Sequence, residues 1–308
     1  MLTPLQTVLR RAPLGLLAAA VLVLAVALPT ARAEEMPYGQ GLLWRVQKDG
    51  GPASYVLGTI HSTDPRLRRL SPEIDRAIEN SRVMAFELLE SQEGAARMAR
   101  AMQLPPNRRL EDILGPALFR RTAEAAAPLG LATETLQRLK PWALGLAFTL
   151  PPLERVRAAK GEPAYDAWLQ AEGRRRGKTL QALETYEEQI EVFDGMSEAE
   201  QVAMVTDMLA DYENIEANFN RLFRAYLKGD IAVIMAEAND IAGVTDPAAA
   251  ERLKQRLIDE RNRVMAARIL PLLRDGGAFV AIGAAHLPGE EGVLARLAER
   301  GYRITREN

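Results

Sequence analysis

Apolar runs and amphipathic stretches alternate at the start of the chain and predict a hairpin. Leu42–Val46 and Ser54–Leu57 are apolar runs separated by the turn residues Gly50–Pro52, a pattern typical of two antiparallel strands. The second strand leads to His61. The opening of the chain is therefore predicted to bring a histidine to the end of a strand.

A helix and a third strand are predicted to follow. Ser71 before Pro72 is typical of a helix start, because serine caps the first turn and proline fits the first helical position. The helix is predicted to run through Asn80. Val83–Phe86 then forms a short apolar strand that ends before Glu87.

The end of the chain repeats this alternation. Apolar residues at helical spacing predict a helix over Arg261–Leu273, and Phe279–Ile282 predicts a strand that leads to His286. A helix over Glu290–Arg300 and a last strand at Tyr302–Ile304 are predicted after it.

Residues 93–258 separate these two ends and form a mostly helical middle region with proline and glycine punctuation. One apolar run, Lys178–Leu183, predicts a further strand that ends at Glu184. Strands that alternate with helices favour parallel pairing and βαβ crossovers. The sequence therefore predicts an α/β fold, with a central, mostly parallel sheet formed by the N- and C-terminal βαβ segments and a large helical insertion.

The first 33 residues have a different composition. Arg10 and Arg11 precede an uninterrupted apolar run of 15 residues, Leu14–Leu28, and Ala31 and Ala33 supply small residues near its end. This pattern predicts a signal peptide over residues 1–33 and one domain over residues 34–308 that is periplasmic or secreted. The run is shorter than the ~18 to 20 residues of a membrane span, and an uncleaved anchor is the alternative.

Charge and cysteine content exclude several classes of function. The three charges in residues 1–33 are all arginines, so residues 34–308 carry 36 basic and 41 acidic side chains, a net charge of −5. Nucleic acid is therefore not an expected partner, and no later stretch is apolar enough to span a membrane. The absence of cysteine excludes disulfides and thiol catalysis.

The chain contains two histidines, and both occupy the same kind of position. His61 ends Gly58-Thr59-Ile60-His61, and His286 ends Gly283-Ala284-Ala285-His286, each after a predicted strand. Histidine is the usual group for proton transfer near neutral pH and the commonest metal ligand. Because ligand sites in such sheets lie beyond the carboxyl ends of the strands, both ends of the chain are predicted to build one site. The glycines are expected to allow a tight turn at each strand end.

Five side chains are the candidates for chemistry. Two imidazoles and a carboxylate suit a divalent transition metal, so the predicted metal ligands are His61, Glu87 and His286. Glu184 is the candidate for a general base or a further ligand. Arg261 is the candidate for binding a substrate carboxylate or stabilising an oxyanion.

Structural roles are open for the same residues. A buried histidine is often a hydrogen-bonded structural residue, and Glu87 could form a cap or a salt bridge. Glu184 stands among other acids, as at a solvated helix start. Arg261 belongs to the charged run Asp259–Arg263, most of which is expected to face water.

These runs resemble the TraB/GumN family, which includes the TIKI proteins. The similar segments are Tyr55–His61 for the first GxxH motif, Phe86-Glu87 for the strand-end glutamate, Gly177–Gln189 for the central motif, and Glu260–Met265 with Val280–Gly289 for the C-terminal motifs. The resemblance covers nearly all of residues 34–308. It implies the fold of erythromycin-esterase-like and haem-binding ChaN-like proteins. For the TIKI branch it implies peptidase activity that depends on a divalent metal, here Mn, Co or Zn.

Two functions from different classes follow. The first is an exported, divalent-metal-dependent hydrolase that cuts amide or peptide bonds of a small-molecule or peptide substrate. The second is a non-catalytic periplasmic protein that binds a peptide or haem in the same pocket. Binding alone does not need two carboxylates beside two histidines, so these residues favour the hydrolase.

Overall fold

The computed structural model of the protein describes residues 36–48, 50–241 and 247–307. The predicted signal peptide, residues 1–33, lies outside the described residues. Among the helices that are described, none combines the length and the apolar content that a membrane span needs.

A six-stranded sheet forms the centre of the fold. Its strands are β1 (Leu43–Gln47), β2 (Ser54–Thr59), β3 (Val83–Phe86), β4 (Thr179–Ala182), β5 (Ala278–Gly283) and β6 (Arg303–Arg306). They lie side by side in the order β4-β3-β5-β2-β1-β6. The pairs β4–β3, β3–β5 and β5–β2 are parallel, whereas β1 is antiparallel to both β2 and β6.

The two ends of the chain meet inside this sheet, as the sequence predicts. Strand β5 lies between β2 and β3, and Thr59 is opposite Gly283 in the register. Strands β3 and β5 are buried along their whole length, which is why their sequences are continuous apolar runs instead of alternating ones. The predicted α/β fold with a mostly parallel sheet is confirmed.

Helices cover the sheet and make up most of the insertion. They are α1 (Pro72–Glu79), α2 (Gln92–Ala101), α3 (Leu110–Ala126), α4 (Thr133–Leu136), α5 (Pro141–Phe148), α6 (Pro152–Ala159), α7 (Tyr165–Arg175), α8 (Tyr186–Asp194), α9 (Glu198–Asp211), α10 (Ile215–Leu227), α11 (Ile231–Ile241), α12 (Pro247–Lys254), α13 (Glu260–Asp275) and α14 (Val293–Glu299). A π-helical turn, Gln255–Asp259, joins α12 to α13.

The local sequence explains several of these boundaries. Ser71 caps α1 by accepting a hydrogen bond from the amide of Ile74, with Pro72 in the first turn. The last helix begins at Val293 instead of the predicted Glu290. Gly289 has a positive φ of 83°, so the chain makes a turn there before the helix can start.

Two apolar cores stabilise the protein. One surrounds the sheet and includes Phe86, Phe279 and Ile269. The other lies among the helices of the insertion, where the rings of Trp142 and Phe193 stack with their centroids 5.3 Å apart. The insertion thus packs largely around its own core, whereas α7 and α13 belong to the core of the sheet and carry Asp166 and Arg261 to the carboxyl ends of the strands.

Candidate active site at the carboxyl ends of the parallel strands

An aspartate from a distant helix holds His61 beyond the end of β2. The Nδ1 of His61 lies 2.9 Å from Oδ2 of Asp166. The other carboxylate oxygen accepts a hydrogen bond of 2.6 Å from the hydroxyl of Thr59. Asp166 lies in the first turn of α7, where the amide of Tyr165 donates to the carbonyl of Ser62. One carboxylate therefore fixes both the end of β2 and the imidazole that follows it.

A buried glutamate fixes the loop after His61. One oxygen of Glu154 accepts a hydrogen bond of 2.9 Å from the Ser62 hydroxyl, and the other accepts from the amide and the hydroxyl of Thr63. Arg157 pairs with the same carboxylate at 3.3 Å. These groups satisfy the buried charge of Glu154 and tie the loop after His61 to α6.

The charge of Asp166 controls the protonation of His61. Burial alone would lower the pKa of His61, but the charge of Asp166 and its hydrogen bond outweigh burial, with a contribution from Glu87. The pKa of His61 rises to about 9. The imidazole is therefore cationic at neutral pH in the metal-free protein.

Glu87 links two strands and a helix at this edge of the sheet. It follows β3, and its Oε1 accepts a hydrogen bond of 2.6 Å from the amide of Gly283 at the end of β5. Its Oε2 accepts a hydrogen bond of 2.8 Å from Nη2 of Arg261. Burial raises the pKa of Glu87, but the charges of Arg261, His286 and His61 outweigh this and lower it to about 2. The carboxylate is ionised, and the predicted alternative of a salt bridge at Glu87 is present.

An asparagine orients His286. The Nδ1 of His286 lies 2.7 Å from Oδ1 of Asn262. The amide nitrogen of Asn262 donates to the carbonyl of Glu291 at 2.9 Å, which fixes the orientation of the amide. Nδ1 of His286 is therefore the protonated nitrogen and Nε2 carries the lone pair. Nε2 is 3.8 Å from Oε1 of Glu87.

His286 is the neutral member of the two histidines. Burial lowers its pKa first, and the positive charge of Arg261 lowers it further, to about 3. The charge of His61 also lowers the pKa of His286. The two imidazoles thus share one electrostatic environment, and one is cationic while the other is neutral.

Arg261 and Glu184 form a buried pair at the same edge. Nε and Nη2 of Arg261 donate to the two oxygens of Glu184 at 2.8 Å and 2.7 Å. Gln189 donates to the same carboxylate at 3.1 Å. The exposed fractions are 5% for Arg261 and 4% for Glu184. The alternative interpretation of these two residues as solvated charges is therefore wrong, because α13 packs against the sheet and Gln189 of α8 binds the carboxylate of the pair.

Most of the hydrogen-bonding capacity of Arg261 is used inside the protein. Besides its bonds to Glu184 and Glu87, its Nη1 donates to the carbonyl of Leu257 at 3.1 Å. A guanidinium has five N–H groups, and these contacts engage four of them. These contacts show that Arg261 mainly binds two carboxylates together.

A further carboxyl group, that of Glu90, interacts electrostatically with Asp166 and His61. Gln170 accepts a hydrogen bond from the amide of Glu90 and donates to the carbonyl of Leu88, both at 3.0 Å, which fixes the loop after Glu87. Within the described residues, Oε1 of Glu90 is buried without a hydrogen-bond partner. Burial and then the charge of Asp166 raise the pKa of Glu90 to about 7.

The structure brings all five predicted residues to the carboxyl ends of β2, β3, β4 and β5. It also adds partners to which the sequence analysis assigned no role: Asp166, Asn262, Gln189 and Glu90. Asn262 and Gln189 lie within the segments that resemble the family motifs, so the sequence could have indicated them as site residues. Asp166 and Glu90 stand in no recognisable motif, because their role depends on how helices and loops pack over the sheet.

The glycines of the two GxxH units act differently from the prediction of a tight turn. Gly283 has an ordinary φ of −51°, and Gly58 is a residue of β2 without a positive φ. A Cβ on Gly58 would come within 2.8 Å of Leu287 and 3.1 Å of Ala284. Gly58 therefore permits close packing between the units, and Gly283 presents its amide to Glu87.

The donor chemistry of the site suits a divalent metal, although the side chains do not converge as ligands. Among the described residues, no three His, Cys, Asp or Glu side chains are grouped closely enough to hold a metal ion. Each histidine nevertheless has Nδ1 next to an oxygen acceptor, which is the outer-shell arrangement of metal-binding histidines. Binding would require Glu87 to exchange one of its present contacts for the metal.

The family profile of TraB/PrgY/gumN proteins matches residues 42–306 of the chain. The chain belongs to the TraB/PrgY/gumN family. The match spans both histidine units and the insertion between them, which agrees with the resemblance in the sequence motifs. No solved structure matches the chain at a significant level.

Similar proteins in this family are named metalloproteases. Metalloprotease TIKI1 of Danio rerio is 26% identical over 85% of this chain and 62% of its own length. Metalloprotease TIKI1 of Homo sapiens is 25% identical over 85% of this chain and 61% of its own length. A metalloprotease TIKI homolog of Amphimedon queenslandica is 24% identical, over 86% and 61%. The chain thus spans about three fifths of the length of these relatives.

Proposed function

We propose that this protein is an exported hydrolase of amide or peptide bonds that depends on a divalent metal ion. His61, His286 and Glu87 would hold the ion. The observation that carries the proposal is that both histidines have Nδ1 held by a side-chain oxygen, Asp166 in one case and Asn262 in the other. This leaves Nε2 of each ring as the coordinating nitrogen.

The metal would supply the chemistry that amide hydrolysis needs. A bound divalent ion polarises a carbonyl group and lowers the pKa of a water molecule. Before any metal binds, His286 is neutral and Glu87 is ionised, and these are the protonation states in which the two side chains can bind a metal ion. His61 would lose its Nε2 proton when the ion binds, so metal uptake and proton release are coupled.

In this proposal Glu184 and Arg261 mainly position other groups of the site and take little direct part in the reaction. Both oxygens of Glu184 accept from Arg261, which makes the carboxylate a poor proton acceptor. Its proposed role is to orient the guanidinium. Arg261 in turn holds Glu87 and offers its remaining N–H to the substrate carbonyl.

Metal binding and peptide cleavage test the proposal together. The purified protein is freed of metal with a chelator and titrated with Mn²⁺, Co²⁺ or Zn²⁺ in a calorimeter. A peptide library is then incubated with the same samples. Binding and cleavage are expected for the wild type, and both should be lost in His61→Ala and in His286→Ala. Glu299→Gln, at an exposed position of α14, serves as the control.

The outcome separates the two functional classes. Cleavage that a chelator abolishes and an added metal restores supports the hydrolase. Metal binding without any cleavage favours the non-catalytic binding protein. If neither histidine variant changes metal affinity, the proposed ligands are wrong.

A further inference from the structure

Helix α6 buries a carboxylate but little apolar surface. Its side chains Leu153 and Val156 are 52% and 50% exposed, and Ala158 packs with Leu150 in a small cluster that is separate from both main cores. Glu154 on the same helix is 2% exposed. A buried charge is costly unless polar groups satisfy it. The polar contacts of Glu154 are therefore a main link between α6 and the rest of the protein.

Three of the hydrogen bonds to Glu154 come from the two residues that follow His61. The hydroxyl of Ser62 donates to one carboxylate oxygen at 2.9 Å, and the amide and hydroxyl of Thr63 donate to the other at 2.7 Å and 2.6 Å. Both residues are 1% exposed. The carbonyl of Ser62 accepts a hydrogen bond of 2.9 Å from the amide of Tyr165 in α7. The loop after His61 is thus held between α6 and α7.

This loop connects Glu154 with the imidazole of His61. Asp166 in the first turn of α7 lies 2.9 Å from Nδ1 of His61, so a displaced loop would move both the histidine and the helix end that carries its partner. His286 is held differently, because its partner Asn262 lies on α13, which belongs to the core of the sheet. The two imidazoles therefore depend on different parts of the protein.

We propose that Glu154 is a positioning residue for His61, which it holds in place through Ser62 and Thr63, and that it does not act on His286. A buried ionic group is a weak source of stability but can specify one arrangement of its surroundings. The inference rests on the proposed function only for its effect on metal binding. Outer-shell partners of metal ligands change affinity about 10- to 100-fold. Glu154 acts through the loop, so its loss should weaken metal binding by less, about 3- to 10-fold.

NMR of the metal-free protein tests the positioning role directly. The chain has two histidines, so the spectrum of histidine-labelled, chelator-treated protein separates their imidazole signals, and His61→Ala and His286→Ala assign them. Glu154→Ala should shift or broaden the signals of His61 beyond their line width and leave those of His286 in place. Glu154→Gln should restore most of the wild-type spectrum, because its amide oxygen can still accept from Thr63.

Asp194→Ala is the matched control. Asp194 is also a carboxylate with three hydrogen bonds, from Lys140 at 2.7 Å and 2.8 Å and from Trp142 at 2.7 Å. Trp142 belongs to the core of the insertion. This variant should lower the melting temperature, as Glu154→Ala should, but leave the signals of both histidines in place. The comparison separates a specific effect on His61 from a general loss of stability.

Thr63→Val provides a second route to the same contact. It removes the hydroxyl donor to Glu154 and should shift the signals of His61 by a smaller amount. Added to Glu154→Ala, it should have little further effect, because both changes act on one hydrogen-bonded group. If Glu154→Ala does not fold, Thr63→Val makes the test alone.

The outcomes are separable from those of the proposed hydrolase. Wild-type signals of His61 in folded but less stable Glu154→Ala would show that Glu154 is only structural and would overturn the inference. Equal shifts of both histidines, or a shift of His61 in Asp194→Ala, would also overturn it. Metal titration of the same proteins measures the expected loss of affinity. A wild type that binds no metal would contradict the proposed ligands, whereas the spectra would still decide the role of Glu154.

Discussion

Arg261 donates two parallel hydrogen bonds to Glu184, from Nε at 2.8 Å and from Nη2 at 2.7 Å. The same guanidinium also binds Glu87 on the neighbouring strand end. The buried carboxylate of Glu184 and the largely buried carboxylate of Glu87 thus depend on one cation. The sequence alone suggests a role for Arg261 in substrate binding, and the buried network adds a role in folding.

We expect Arg261→Ala to lower the free energy of unfolding by about 3 to 5 kcal/mol, because it leaves the buried carboxylate of Glu184 and the largely buried carboxylate of Glu87 without their cation. Arg261→Lys should also destabilise, since lysine cannot reproduce the planar fork. Urea denaturation at pH 7 measures both. The control is Arg268→Ala: Arg268 and Glu188 form a bidentate but exposed pair, which should be worth about 1 kcal/mol or less. Similar losses at Arg261 and Arg268 would show that burial of the network is not important.

Asp166→Asn should weaken metal binding about 10- to 100-fold without unfolding the protein. Asparagine has nearly the same shape, but it lacks the charge that holds Nδ1 of His61. Calorimetric titration of the metal-free protein measures the affinity. Glu172→Gln, on the same helix α7 but paired with Arg175 and Arg176, is the control. An unchanged affinity in Asp166→Asn would mean that His61 is not a ligand.

The raised pKa of Glu90 predicts that the free energy of unfolding of the protein falls as the pH rises. The pKa of this acid is about 7 in the folded protein and 4.5 as its ordinary value. The folded state therefore holds its proton more tightly, and the protein loses stability between about pH 4.5 and pH 7. Glu90→Gln removes this loss and should stabilise the protein above pH 7 by up to about 3 kcal/mol. Near pH 4 the variant should match the wild type.

Denaturation curves at pH 4.5, 6 and 8 check the Glu90 prediction. Glu299→Gln removes an exposed carboxylate and should give the wild-type pH dependence. A Glu90→Gln variant that is less stable than the wild type at pH 8 would show that the carboxylate is stabilised in the fold instead of strained.

Gly58→Ala should destabilise the protein by about 1 to 3 kcal/mol, because a Cβ there overpacks the contact with Leu287 and Ala284. Since these residues flank His286, the variant should also weaken metal binding. Thermal melting and metal titration report the two effects. A neutral result for both would mean that the glycine is not needed for close packing of the two units.

The sequence by itself determined the secondary structure around the site. Apolar runs such as Val83–Phe86 and Phe279–Ile282 predict strands because burial on both faces requires continuous apolar side chains. The strand ends then place Glu87 and His286 at one edge of the sheet, since parallel strands end on the same side. Both conclusions follow from the local pattern of apolar residues and from the handedness of the connections between parallel strands.

Only the tertiary structure decided what each site residue does. Asp166 is separated by 107 positions from Thr59, and Arg261 by 77 from Glu184. Such contacts depend on how α7 and α13 pack over the strand ends. The spacing of apolar residues along the sequence does not predict that packing. Whether a charge is solvated or buried also depends on it. The run Asp259–Arg263 looks solvent-exposed as a sequence, yet packing buries Arg261 because two carboxylates at the strand ends can pair with it.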